Sequence, residues 1–220
     1  MLTYLDTIDQ QILLAINGFH AAYFDQAMWL VSNRLSWLLI LLAFLWALRS
    51  KGWRHAAVAI AAIALTVLIA DQVSSGLIKH AVERLRPTHQ PALAGMVHIV
   101  NGYTGGKYGF VSSHAANAFG VALIIGLLMR SQPALWALMG WAVLQCYSRM
   151  YLGVHYLGDI IGGMVVGLLA AWLVYGLLTM ASKRWPTKVS VNFSANDGRT
   201  MAHAVAVTVV FIAIFAAFTY

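Results

Sequence analysis

Long apolar runs alternate with short polar breaks along most of this chain, the pattern of helices that cross a bilayer and need roughly 20 apolar residues each. The first run, 29–49, is entered past Trp29 and Arg34 and left at Arg49, Lys51 and Arg54 around Gly52. A second opens near Ala56, stays apolar to Ala70, then turns polar at Asp71, Gln72, Ser74 and Ser75 before Lys79, with Pro87 as its expected stop. Further runs cover 112–130, 134–151, 157–181 and 201–219. Residues 2–20 differ: Leu2, Leu5, Ile8, Ile12, Leu13 and Ile16 are mixed with Asp6, Asp9, Gln10 and Gln11, which predicts a helix lying on the membrane rather than crossing it. The stretch 88–110 holds Pro91, Gly95, Gly102, Gly105, Gly106 and Gly109, too broken for a span and long enough for a binding rim or lid. The expected fold is all-α: a polytopic membrane helix bundle of about six transmembrane helices plus an N-terminal interfacial helix, one domain over 1–220.

Composition agrees, with 61% hydrophobic and 10% charged residues in 220, and without a repeat or low-complexity tract. The net charge of +7 comes from Lys and Arg scattered between apolar runs, so anionic lipid and the bilayer are the expected partners, and nucleic acid is not. Cys146 is the single cysteine, which excludes an internal disulfide and gives no metal-ligand spacing. The opening Met-Leu-Thr-Tyr-Leu-Asp lacks a basic stretch and a cleavage site, so no signal peptide is expected. Alternating spans gather Arg49, Lys51, Arg54, Arg130, Lys183, Arg184, Lys188 and Arg199 on one side, which the positive-inside rule makes cytoplasmic. Both termini are then outside, and the Asn192-Phe193-Ser194 glycosylation pattern falls on the wrong side for use.

The outer side is left with Lys79, Arg84, Arg86, Lys107 and Arg149 beside His114, His155 and Asp159. Ionisable groups at the edge of hydrocarbon are costly unless paired or used. Lys79 and Arg86 are seven residues apart, two helical turns, and so project from one helix face; an isolated pair of this kind also reads as two snorkelling charges. Val111-Ser112-Ser113-His114 opens a span, where free amides and the helix dipole favour an anion, although N-capping alone accounts for Ser112. Asn117, about one turn on, either orients His114 or bonds backbone. In Ser148-Arg149-Met-Tyr-Leu-Gly-Val-His155-Tyr-Leu-Gly-Asp159, His155 and Asp159 share a face if helical, so the carboxylate can fix the imidazole, while Arg149 offers a planar fork for phosphate. Three cations, a helix start, two imidazoles and a carboxylate suit a phosphate, one imidazole attacking phosphorus and the other protonating the leaving oxygen. A metal site competes, since His and Asp four apart can both be ligands, but three cations would repel a divalent ion, so no metal and no cofactor is expected. Asp71 is either a functional intramembrane group or a bundle contact, and Glu83, Arg84 and His89 either touch a headgroup or are solvated.

These motifs resemble the type 2 phosphatidic acid phosphatases, whose pattern is Lys-x6-Arg-Pro, Pro-Ser-Gly-His, then Ser-Arg-x5-His-x3-Asp. Here they read Lys79 to Arg86-Pro87, Val111 to His114, and Ser148-Arg149 to His155 and Asp159, a motif core of 79–159. The resemblance implies that Lys79, Arg86 and Arg149 bind phosphate, that Ser112 and the backbone of Ser113 complete the cradle, that His155 becomes phosphorylated, that Asp159 orients it, and that His114 protonates the leaving group. Val111 and Ser113 depart from the family's Pro and Gly, placing a side chain where the family has none. Soluble haloperoxidases share such an anion site but not this apolar form. The expected activity is metal-independent hydrolysis of a terminal phosphate from a lipid at the outer face of a bacterial cytoplasmic membrane, with undecaprenyl diphosphate as first substrate. Lipid A, phosphatidylglycerol phosphate and phosphatidate are alternatives, as are a lipid-to-lipid phosphotransferase and a non-catalytic phospholipid transporter. Oligomeric state is not legible.

Overall fold

A computed structural model describes residues 2–185 and 193–219; Pro186, Lys188 and Asn192 lie outside the described residues. The elements are α1 (Leu2–Gly18), α2 (Ala22–Ser32), α3 (Leu38–Leu48), α4 (Trp53–Asp71), α5 (Lys79–Val82), α6 (Ser113–Met129), α7 (Gln132–Tyr151), α8 (Leu157–Arg184) and α9 (Ala195–Thr219). A wide helical turn, Gln72–Ile78, joins α4 to α5 without a break, so 53–82 is one column. Among the described residues three helices are long and apolar enough to cross a membrane, and a fourth if α2 and α3 count as one span bent by 65°. The apolar α6 is shorter, and α7 carries Gln145, Ser148 and Arg149 within it. The protein is therefore an all-α polytopic bundle.

The expected first span, 29–49, is in fact two helices. Asn33 leaves helical geometry and accepts from the Leu35 amide, and the 3-10 turn Arg34–Trp37 redirects the chain. At the other end the turn between α3 and α4 is tied to α9 by Lys51 Nζ to Asp197 Oδ2 at 2.8 Å, and Gly198 of α9 packs on Ser131 before α7. The helix α1 lies across the opposite end: Asp9 accepts from the Gly158 amide at 2.9 Å, and Asn17 donates to the carbonyls of Tyr151 and His98. Both halves of α1 thus contact the same end of the bundle, as a surface helix requires.

The centre is α6, buried on nearly every face. Ala115 and Ala116 on α6 meet Gly163 and Gly167 on α8, where an added Cβ would collide with backbone carbonyls. Small residues let the two backbones close, as in membrane helix pairs generally. That approach carries the start of α6 to the start of α8, where the Ser112 amide donates to the Asp159 carbonyl at 2.9 Å.

Candidate active site

Three cations converge on the end of the bundle covered by α1. Arg149, in the last turn of α7, is 2% exposed; one Nη donates to Ser32 Oγ and the other to the Tyr103 hydroxyl at 2.9 Å. Lys79 donates to Ser113 Oγ at 3.2 Å. Contrary to the expectation from their seven-residue spacing, Arg86 does not share a helix face with Lys79. The column ends at Val82, well before Pro87, because Glu83 takes a left-handed conformation and the chain then pairs with the 105–109 loop through Arg86 N to Lys107 O and Gly109 N to Arg84 O. Arg86 reaches the site from that loop, its Nε donating to Tyr108 O at 3.0 Å. Pro87 instead opens a short 3-10 turn.

His155 and Asp159 meet, though not on a shared helix face. His155 lies in the turn before α8, Tyr156 is the N-cap, and Asp159 is in the first turn. Asp159 Oδ2 is 3.2 Å from His155 Nδ1 and accepts from the Tyr156 amide at 3.1 Å. Both side chains are fully buried. The other carboxylate oxygen accepts from Arg84 Nη1 at 3.0 Å, and the same guanidinium binds Asp9 at 2.9 Å and Asp6 at 2.7 Å. Arg84 is thus neither a solvated loop residue nor a headgroup contact; three carboxylates hold it. Gly109 packs so closely on Asp159 that a Cβ there would come within 2.7 Å of Oδ2. With Nδ1 committed to Asp159, His155 Nε2 is left buried and without a partner. Burial, then Arg86, Arg149 and Lys79, hold the imidazole's protonation well below the ordinary range, so it is neutral at pH 7.

His114 has the opposite surroundings. It is exposed, in the first turn of α6, and lines two cavities of about 310 and 260 Å³. It lies in the field of Arg149, His155, Arg86 and Lys79. Ser112 caps α6, its Oγ accepting weakly from the Ala115 amide at 3.4 Å, while its own amide is spent on Asp159 O. The amides of Ser113 and His114 precede the first intrahelical bond of α6 and are the ones an anion can use. The Ser113 side chain, foreign to the family pattern, turns aside to Ser75 Oγ at 2.6 Å and to Lys79.

Lys79, Arg86, Arg149, Ser112, Ser113, His114, His155 and Asp159 are therefore gathered at one place from four helices and a loop. Ser148 is not among them: its hydroxyl donates to Gln145 O within α7. Asp71 takes a long contact of 3.5 Å from Ser75 and lines the larger cavity. The supporting residues Ser32, Tyr103, Ser75 and Asp9 carry no motif of their own; the one cue in the sequence is Asp6 and Asp9, acidic on an otherwise apolar surface helix. Among the described residues no group of three or more His, Cys, Asp or Glu is placed to hold a metal ion.

A helical membrane bundle with two imidazoles and three cations at one end is a phosphatase architecture, and the comparisons agree. Residues 56–183 match the PAP2 superfamily model, and the chain belongs to that superfamily. It is 37% identical over 177 residues to a lipid A 4'-phosphatase of Bacteroides thetaiotaomicron, covering 80% of this chain and 79% of the relative. A lipid A 4'-phosphatase of Porphyromonas gingivalis is 36% identical over 183 residues, covering 83% and 78%. Among solved structures, the fold resembles a transmembrane PAP2-type phosphatidylglycerolphosphate phosphatase from Bacillus subtilis, with TM-score 0.60, 24% identity and coverage of 83% and 89%. It also resembles LpxE of Aquifex aeolicus, with TM-score 0.58, 19% identity and coverage of 76% and 94%. This chain is a multi-pass membrane phosphatase acting on lipid phosphates, with bacterial relatives.

Proposed function

We propose that the enzyme removes a phosphate from a saccharide lipid of the lipid A type through a phosphohistidine on His155, at the outer face of the cytoplasmic membrane. The observation that carries the mechanism is the bare, buried Nε2 of His155, set among Lys79, Arg86 and Arg149 and backed by Asp159. Nε2 attacks phosphorus, forming the N–P bond as the P–O bond to the lipid breaks. His114, as imidazolium, gives its proton to the departing oxygen. Asp159 holds the Nδ1 proton, so positive charge on the phosphorylated ring is balanced. The three cations and the Ser113 and His114 amides take the charge of the equatorial oxygens. Water then attacks phosphorus, His114 accepts its proton, and inorganic phosphate leaves with His155 again neutral.

The two relatives that cover four-fifths of the chain support lipid A phosphate ahead of undecaprenyl diphosphate. The outward orientation rests on Lys51, Arg130 and Lys183 lying toward the opposite end. Phosphate release by detergent-purified protein in chelator tests both claims, across lipid A, undecaprenyl diphosphate, phosphatidylglycerol phosphate and phosphatidate, beside His155→Ala. Release from lipid A that the substitution abolishes is expected. Equal release by the variant would remove the His155 mechanism, and a faster rate on another lipid would replace the substrate.

A further inference from the structure

The cations at the site end are nearly all satisfied. Arg84 has three carboxylates, Arg86 the carbonyls of Tyr108 and Val154, Arg149 the hydroxyls of Ser32 and Tyr103, Lys79 the hydroxyl of Ser113, and Lys107 sits over the Tyr108 ring. The Arg34 guanidinium has no hydrogen bond, ion pair or ring contact to any described residue, although its charge reaches the Tyr103 hydroxyl. It is exposed at the break between α2 and α3, and it lines both cavities that His114 lines. The smaller cavity also touches Arg149, so one continuous space runs from the phosphate-binding cation, past the leaving-group imidazole, to a free guanidinium. Beyond it, Asn33 is shared with an apolar groove of about 460 Å³ between α2, α3 and α9, wide enough for lipid chain.

We infer that Arg34 is a specificity-determining residue that binds a second anionic group, a phosphate or phosphodiester carried on the leaving-group side of the substrate. The inference rests on the active-site reading given above. With the scissile phosphate at Arg149 and His155, whatever His114 protonates extends toward Arg34, because the cavities meet there. A guanidinium recognises phosphate through two parallel hydrogen bonds, and one with no internal partner gives none up to do so. Asp71, on the wall of the larger cavity, offers acceptor oxygens to the same space and is suited to leaving-group hydroxyls instead. The substrate class is then a lipid phosphate whose product keeps an anion, as a diphosphorylated saccharide lipid, a polyprenyl diphosphate or phosphatidylglycerol phosphate does. Phosphatidate, which leaves as a neutral diacylglycerol, falls outside it.

The experiment compares wild type, Arg34→Gln, Arg34→Lys and His155→Ala on the lipid among these that wild type turns over fastest, with inorganic phosphate as a competitive inhibitor that fills the phosphate seat alone. Arg34→Gln is expected to raise KM about tenfold for a lipid with an anionic leaving group. Its inhibition constant for inorganic phosphate should move less than twofold, and Arg34→Lys should recover part of the KM. An unchanged KM overturns the inference, as does a phosphate inhibition constant that rises in step with KM, or fastest wild-type turnover on phosphatidate. Activity surviving in His155→Ala would instead remove the active-site reading, whatever Arg34→Gln does.

Discussion

The two flanks of the site are built to opposite rules. On the His155 flank, Asp159 accepts from Arg84 and the Tyr156 amide and lies against His155 Nδ1, and Arg84 is pinned in turn by Asp9 of α1. On the His114 flank the imidazole lines open cavities, and Arg34 faces them unpaired. In the proposed mechanism the closed flank is preorganised around an atom that attacks phosphorus in one geometry, and it costs little reorganisation in the reaction. The open flank meets the part of the substrate that differs between lipids. Substitutions on the closed side should therefore act on kcat, and those on the open side on KM, except at His114 itself, whose proton transfers belong to the proposed chemical steps.

Asp159→Asn is the most damaging conservative change that keeps the nucleophile. It leaves the ring in place but removes the charge that balances phosphohistidine, and kcat is expected to fall about 10³-fold. Arg84→Gln should lower kcat about 10- to 100-fold, the effect of losing a hydrogen bond to a charged partner, worth about 1.5–3 kcal/mol. An equal loss in KM alone would break the assignment of Arg84 to the closed flank.

The pH profile separates the flanks without mutation. Under the proposed mechanism His155 attacks only when neutral, and its protonation lies below the ordinary imidazole range. Activity is therefore present above that depressed pKa and lost as pH falls through it. The acid limb of single-turnover phosphorylation should lie below about pH 6.5, where an unperturbed imidazole would place it. A limb at or above that value would mean that the cations do not act on His155. The smallest effect belongs to Ser113→Gly, which restores the family residue. It frees Lys79 and Ser75 from one hydroxyl, and KM should change by no more than about threefold.

The candidate site residues were legible because their types are costly in an apolar chain: Lys79, Arg86, Arg149, His114, His155 and Asp159 all stand out against hydrocarbon, and the structure gathers them at one end of the bundle. Their local geometry was less legible. Helical spacing aligns Lys79 with Arg86 and His155 with Asp159, whereas Glu83 breaks the first helix and α8 begins after His155. The supporting partners left no periodic signal at all. Arg84 meets Asp159 across 75 positions, and Arg149 meets Ser32 across 117. Contacts of that span are set by how α6 and α8 pack and by where α1 lies, which no local pattern records. The bend at Asn33 was hidden for a related reason: Arg34 read as a flank charge of one continuous apolar run.

The most direct test of the phosphohistidine is to trap it. Protein carrying His114→Asn, quenched during turnover with labelled lipid phosphate, should hold an acid-labile, base-stable phosphoryl group that peptide mass spectrometry places on His155, and the His155→Ala protein should hold none. Label on another residue, or steady hydrolysis by wild type with no phosphoenzyme formed under rapid quench, would contradict the account.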